Sequence, residues 1–471
     1  MGEKHLIGSK KKFDYNLWDF RIIRMESAAK EYITPIKKAE KKLFYPLSSA
    51  QKRLYVLQQM YPGSTGFNLP TVVALEGDLN IGQMDLAFRK LVKRHESFRT
   101  SFPMISNKPV QRIHLEVPFV VEYYDISVEW GADFEMIVKN FIRPFDLSRP
   151  PLLRVGIVKI DEKKNILMVD MHHIISDDLS MDIFIREFVC FYHGQELPPL
   201  DIQYKDFAWW QNQELEKGVL KRQEEFWISL FAGEIPELKL PFDCPDPPFS
   251  GFEGSHFGFG VKKDLIIKIK EIVNRTASTL NQFLLAVYNI QLSLYTRQED
   301  LIVGYPVMGR NHVDLQPVIG MFINMLPMRN QPQGNKTFRQ FLEEVRENTS
   351  NAYENKDYPF EELVVQLGLQ GKAGGSHLFN VAFALHSREG IRAVSDTEIL
   401  KVIPVEFEHK VSIFDITLRA YEAHDAISMV LEYKTPLFKP STMKRYGKHY
   451  IEILKQVVEN IDLKLKDIKK R

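Results

Sequence analysis

Residues 171–178 read Met171-His172-His173-Ile174-Ile175-Ser176-Asp177-Asp178, and the periodicity of the chain changes across them. Upstream, residues 152–160 and 166–171 are apolar, β-branched runs joined by Asp161-Glu162-Lys163-Lys164-Asn165, the pattern of two strands and a hairpin loop. Downstream, Met181, Phe184, Ile185, Phe188 and Val189 recur at helical spacing, and His193-Gly194 closes the segment. The octapeptide therefore bridges a strand and a helix. Successive strand side chains leave on opposite faces, so His172 and His173 do not readily serve one pocket. His173, nearer the loop, is expected to present its imidazole to solvent or substrate, and Asp177 to turn back and hold the loop against an arginine. Diverging histidines make a poor metal site, and the nearest further ligands, Cys190 and His193, fall on the following helix. By themselves these residues leave a packing histidine and a catalytic one both open.

Around this stretch the chain has ordinary globular composition: 471 residues, 44% hydrophobic and 26% charged, with 25 Gly and 25 Pro. Its 62 Lys+Arg against 61 Asp+Glu leave a net charge of +1, which gives no global pull toward nucleic acid or an anionic membrane. Cys190 and Cys244 are the only cysteines, too few for a disulfide framework or a Cys-based zinc site, and a reducing cytoplasm fits best. The basic start lacks an apolar signal stretch, and Leu6 replaces the Ser/Thr of a myristoylation signal. The most apolar helical run, residues 280–295, is broken by Asn281, Gln282, Asn289 and Gln291, so no membrane span is expected.

Residues 1–40 are Lys-rich and read as a linker or appendage. Ser48 or Ser49 can N-cap a first helix through Gln51, Leu54 and Met60, and residues 81–95 show the apolar spacing of a second. Four prolines within residues 240–251 mark an irregular crossing. Beyond it the alternation repeats: helices at 261–274, 279–296, 337–352 and 440–458, and strands at 300–305, near 379–386, near 400–407 and at 412–433. Two halves of similar size follow, residues 41–212 and 213–471.

Five further motifs accompany the His-His pattern HHxxxD in order. Ser49-Ala50-Gln51-Lys52-Arg53-Leu54-Tyr55, Arg94-His95-Glu96-Ser97-Phe98-Arg99-Thr100, Tyr204-Lys205-Asp206-Phe207-Ala208-Trp209-Trp210, Ile319-Gly320-Met321-Phe322-Ile323-Asn324 and Asn355-Lys356-Asp357-Tyr358-Pro359-Phe360-Glu361 are spread across the chain. Together they resemble the condensation domains of non-ribosomal peptide synthetases, most closely the subtype joining two L-configured residues. The resemblance implies a two-lobed α/β fold like chloramphenicol acetyltransferase, a V-shaped pseudo-dimer with a tunnel open at both sides. It implies donor and acceptor thioesters on phosphopantetheine arms of carrier domains, a neighbouring adenylation domain, a monomeric module, and no cofactor or metal of its own. Residues 1–40 would then be a carrier remnant or a docking segment.

The resemblance further implies that His173 takes the ammonium proton or orients the attacking nitrogen, with His172 beside it. Thioesters are activated and an α-amine of pKa about 8 is partly neutral, so positioning carries much of the task. Asp177 would be structural, paired with Arg99 or, less simply, Arg94, and Asn324, Tyr305, Ser49 and Gln51 would line the tunnel. Three departures stand out. Asp178 replaces the family's usual Gly, which predicts backbone strain and a second carboxylate beside His173. Tyr305 is bulkier than usual, and Ser376-His377-Leu378-Phe379-Asn380 lacks the Arg-Asp pair of the last motif. Asp178 makes a catalytically silent carrier-binding or recruiting module the competing expectation, and a stand-alone acyltransferase using a soluble thioester is a third.

Overall fold

The apolar runs flanking the octapeptide form an antiparallel hairpin, Leu153–Lys159 against Lys164–His172, with Val155 opposite Val169 and Ile157 opposite Leu167. These contacts come from a computed structural model that describes residues 21–22, 35–127, 134–244, 251–369, 378–387, 396–397, 400–405, 407, 410–423 and 426–469. Most of the expected 1–40 appendage, the end of the proline-rich crossing and Ser376-His377 lie outside the described residues.

Every residue of Lys164–His172 after Lys164 is buried, which marks a central strand covered on both faces. Val155, Ile157, Leu167 and Val169 face a core shared with helices Ile81–Arg94 and Asp178–Tyr192, while Val158, Ile166 and Met168 meet helix Phe134–Phe141 on the other face. The two helices lock through Phe88, whose ring stacks on Phe188 at 4.5 Å. The sheet runs in the order Asp396–Thr397, Leu400–Pro404, Asn68–Glu76, Lys164–His172, Leu153–Lys159, Val121–Asp125.

The second half builds its own sheet, in the order Gly254–Val261, Ala426–Lys434, Ile416–Ala423, Val381–Ser387, Leu301–Met308, Ile323–Asn330. Helices Lys263–Arg275, Leu280–Thr296, Phe338–Glu354 and Pro440–Glu459 share its core. Helix Leu280–Thr296 is buried from Asn281 to Leu292. The amides that interrupt its apolar run donate inside the protein, Gln291 to the Tyr446 carbonyl at 2.7 Å and Asn289 to the Leu285 carbonyl at 2.8 Å. No helix among the described residues is long and apolar enough to cross a membrane.

Two segments of the second half cross into the first. Leu400–Pro404 pairs antiparallel with Asn68–Glu76, Val402 opposite Leu75. The loop after Leu301–Met308 sends Leu315, Val318, Ile319, Met321 and Phe322 into the core that holds Phe98, Phe184 and Phe207. At about 1.5–3 kcal/mol for each buried side chain, this docking contributes on the order of 10 kcal/mol before ordering entropy is subtracted. It brings the second half to within hydrogen-bonding distance of the octapeptide.

Candidate functional site

His172 ends the central strand opposite Asn68 and is fully buried. Its Nδ1 accepts from the Ile174 N–H at 3.0 Å, so the ring proton sits on Nε2 and is donated to Gln58 Oε1 at 3.1 Å. Both nitrogens are thus spent on the protein. Burial, then the neighbouring charges of His173 and Arg154, push this imidazole down to about 3.

His173 begins the short turn His173–Ile175, its backbone N–H tied to the Phe67 carbonyl at 2.7 Å. The side chain is part exposed, and Nδ1 lies 2.7 Å from the Ser176 carbonyl. A carbonyl only accepts, so Nδ1 carries the proton and the lone pair of a neutral His173 is on Nε2. The two histidines diverge as strand geometry demands, and only the second has a basic nitrogen unspent.

Asp177 is the N-cap of helix Asp178–Tyr192, its Oδ1 accepting from the Ser180 N–H at 2.8 Å and the Ser180 hydroxyl at 2.6 Å. Its cation is Arg310, with Nη2 2.9 Å from Oδ1, while Oδ2 accepts from the Phe322 N–H at 3.1 Å. The expected pairing with Arg99 or Arg94 is therefore corrected. Arg99 donates to the carbonyls of Val92, Lys93, His114 and Leu115, the first two at the end of helix Ile81–Arg94. Arg94 pairs with Glu187 at 2.9 Å. Both stay within the first half, whereas the Asp177 carboxylate faces the inserted loop. Arg310 follows Gly309 just past strand Leu301–Met308 and lies outside the six motifs, so the sequence assigns it no role. Its signal was an arginine directly after a strand-ending glycine.

Arg310 is itself buried, donating to the Leu315 carbonyl at 2.7 Å, to the Val318 carbonyl and to Ser180 Oγ at 2.7 Å, with its guanidinium 4.0 Å from the Phe322 ring centre. Tyr204 closes the far side, its hydroxyl 2.7 Å from Ser48 Oγ and donating to the Met321 carbonyl. Gly320 passes so close that a Cβ there would lie 1.8 Å from Tyr204 Cδ2. Gly320→Ala is accordingly expected to cost about 2 kcal/mol by overpacking, read as a lowered Tm. A Tm unchanged within about 1 °C would show that Tyr204 yields freely.

The remaining expected site residues are occupied by the protein. Gln51 Nε2 donates to the Ile174 carbonyl at 3.1 Å, which ties the first helix, Ser49–Met60, to the His173 turn. Ser49 Oγ donates to Glu362 at 3.0 Å across the two halves. Asn324 donates to the Lys356 and Tyr358 carbonyls at 2.8 and 2.9 Å and accepts from the Met325 and Phe360 N–H groups at 2.9 and 3.0 Å. That uses its whole amide as a backbone clamp, beside a cavity lined also by Ser48, His312, Phe322 and Glu361. Tyr305 is buried in the second core with its hydroxyl on Asn281. Among the described residues no three His, Cys, Asp or Glu side chains converge as a metal site needs.

Asp178 is the first helical residue, and the non-glycine residues with positive φ among those described are Ser106, Asn107, Ala277 and Arg297. Its backbone needs no glycine, so the strain expected of this replacement is absent. The side chain is part buried, with His173 and Arg419 as nearby charges, and burial pushes its carboxyl above the ordinary range.

The buried ionisable groups make stability depend on acid. His172 and His386 are each pushed down to about 3 by burial, so between that value and about 6.5 the unfolded chain binds protons that the native one refuses. Their stabilisation is complete above about 6.5 and drains as pH falls. Asp170, buried beside Arg154 at 3.1 Å and pushed up to about 7, works the other way over much of this window. His95 and His114 are likewise lowered by burial, and Asp178, Asp357 and Glu361 likewise raised, so the two sets oppose each other across the chain and a slope belongs to a single group. The contribution of His172, taken as the difference between wild type and His172→Gln, is expected to fall by about 1 kcal/mol from pH 6 to pH 5. Denaturant melts of both proteins at pH 6 and 5 check this, and parallel profiles would contradict it.

The description "Condensation domain" is that of the family model matching residues 41–470. Bacitracin synthase 2 of Bacillus licheniformis is 42% identical over 439 residues, covering 93% of this chain and 17% of the synthase. Gramicidin S synthase 2 of Brevibacillus brevis is 42% identical over 446 residues, covering 94% of this chain and 10% of the synthase. The chain thus spans less than a fifth of the length of these curated relatives. Among solved structures, the X-domain from teicoplanin biosynthesis superposes with a TM-score of 0.85 at 25% identity, over 93% of this chain and 100% of that one. The condensation domain from Monacolin K polyketide synthase MokA gives 0.79 at 20% identity, over 91% and 100%.

Proposed function

The chain belongs to the condensation-domain family, and from that premise we propose that it forms peptide bonds between two carrier-bound substrates. The donor is an aminoacyl or peptidyl thioester and the acceptor an aminoacyl thioester, each on the phosphopantetheine arm of a carrier domain. In this reading the chain brings no cofactor of its own. The observation that carries it is the orientation of His173, whose Nδ1–H is fixed on the Ser176 carbonyl so that the Nε2 lone pair is available from a part-exposed ring.

The acceptor ammonium gives its proton to Nε2, the amine nitrogen attacks the donor carbonyl, and a C–N bond forms. Collapse of the tetrahedral intermediate breaks the C–S bond, and the proton that the attacking nitrogen sheds in becoming an amide passes to the departing sulfur, which leaves as the thiol. His173 serves as base or as the group that orients the nitrogen, and Asp177 with Arg310 fixes the turn that presents it. Residues 41–212 and 213–471 are the proposed lobes, with Leu400–Pro404 returned to the first, and residues 1–40 the proposed linker. A monomeric cytoplasmic module beside carrier and adenylation domains, joining two L-configured residues, completes the proposal.

The test is amide formation from carrier-bound L-aminoacyl donor and acceptor, followed by intact-protein mass spectrometry. Product supports the reading. Carrier binding without product, from wild type and Asp178→Gly alike, would make the chain a silent recruiting module instead.

A further inference from the structure

Both histidines lean on the loop of residues 61–67, which joins helix Ser49–Met60 to strand Asn68–Glu76. The His173 N–H donates to the Phe67 carbonyl at 2.7 Å. His172 reaches the loop through Gln58, whose Nε2 donates to the Tyr61 and Pro62 carbonyls, each at 3.4 Å. Within itself the loop is held by short turn bonds, Ser64 N–H to the Tyr61 carbonyl, Asn68 N–H to the Thr65 carbonyl and Gly66 N–H to Ser64 Oγ.

The second half presses on this loop through Phe252. That ring stands edge-on to Tyr61 at 5.0 Å and to Phe67 at 4.9 Å between ring centres, so it meets the loop at both ends. It lies so close over Gly66 that a Cβ there would come 2.5 Å from Phe252 Cδ2. The side chain that Gly66 lacks is what gives the ring its seat. Phe67 in turn is buried, with the His172 ring centred 6.3 Å from its own. Phe252 is fixed from behind: its carbonyl accepts from the Ser412 N–H at 2.8 Å, Glu253 bridges Val411, and Gly254 begins strand Gly254–Val261 of the second sheet. The place of the ring is thus set by the second half, and its load falls on the loop that holds both histidines.

We propose that Phe252 is a positioning residue for amide formation: its ring, delivered by the second half, braces the loop of residues 61–67 and so holds the His173 turn where Nε2 meets the acceptor nitrogen. The inference rests on the peptide-bond reading above for the step that the imidazole serves. Phe252 acts through Phe67 and not on the substrates. The geometry of the imidazole is thereby tied to how the two halves sit on each other. Aromatic edge contacts hold more firmly than their buried area alone provides. A misplacement of about 1 Å at a reacting centre costs up to about 100-fold in rate.

The test follows hydrogen exchange of the full chain by mass spectrometry, beside single-turnover amide formation from carrier-bound L-aminoacyl donor and acceptor. In Phe252→Ala the segments 61–68 and 171–178 are expected to exchange about tenfold faster, with helix Phe338–Glu354 unchanged. The rate per folded molecule, with the folded fraction taken from melts, falls about tenfold or more, while the half-saturating carrier concentration stays within about threefold. Phe252→Tyr keeps the ring and restores both readouts. Gly66→Ala drives the ring from its seat without deleting it, gives the same two changes, and decides the matter if Phe252→Ala does not fold. A merely structural role quickens exchange in helix Phe338–Glu354 as well and leaves the rate per folded molecule at the wild-type value, which overturns the proposal. Unchanged exchange at 171–178 in both variants overturns it too. If wild type forms no amide, the peptide-bond reading fails by itself; faster exchange confined to 61–68 and 171–178 then upholds Phe252 as the brace of the His173 turn, and unchanged exchange removes it.

Discussion

His173→Ala is expected to slow amide formation by about 10²–10⁴-fold while the protein stays folded. The size follows from what a positioned proton acceptor or hydrogen-bonding group contributes at the transition state. The structural cost is small, because the ring is part exposed and gives up one hydrogen bond, Nδ1–H to the Ser176 carbonyl, worth about 1 kcal/mol. His172→Ala should show the reverse balance. That ring is fully buried, caps the Ile174 N–H and donates to Gln58, so its loss leaves a cavity with two unsatisfied partners and lowers stability first. Single-turnover mass spectrometry beside thermal melts separates the two variants. A His173→Ala rate within about threefold of wild type would remove the imidazole from the chemistry and leave alignment of the two thioesters to supply the rate.

What the sequence could disclose divides along the range of the forces involved. The strand, hairpin and helix around residues 171–178 are written in local periodicity, so were helices such as Leu280–Thr296 and Phe338–Glu354, and so was the divergence of His172 from His173. Spacing also marked a strand near residue 400. A strand's pattern does not name its partner, however, and only the fold shows Leu400–Pro404 in the sheet of the first half. The partner of Asp177 is hidden from the sequence for the same reason. Arg99 and Arg94 were the arginines in a neighbouring motif, but the partner is 133 positions away on a loop whose apolar residues must first bury themselves beside Phe184 and Phe207. Asn324 likewise sits in a quotable motif, and its motif could not say that all four hydrogen bonds of its amide go to backbone. The tautomer of His173 depends on one carbonyl three residues on, which turn geometry alone supplies.

Arg310→Met is expected to cost about 3–5 kcal/mol of stability, the largest loss foreseen for a single site outside the hydrophobic cores. The pair is almost fully enclosed, with side-chain exposures of 2% for Arg310 and 4% for Asp177, so water cannot take the place of the lost cation. Asp177 keeps Ser180 and the Phe322 N–H, yet its charge is left buried without a counter-ion, and the Leu315 and Val318 carbonyls lose their donor. Asp177→Asn in the same background removes the stranded charge, so the double variant should cost less than the two single changes added together. Denaturant melts of the four proteins give the coupling. Additive losses, or a cost below about 1 kcal/mol for Arg310→Met, would show that the inserted loop is held by its apolar residues alone. The same substitution bears on function, because Asp177 caps the helix that follows the His173 turn and Arg310 anchors the loop that meets it. Loosening one end frees the turn, so the rate should fall further than the remaining folded fraction accounts for.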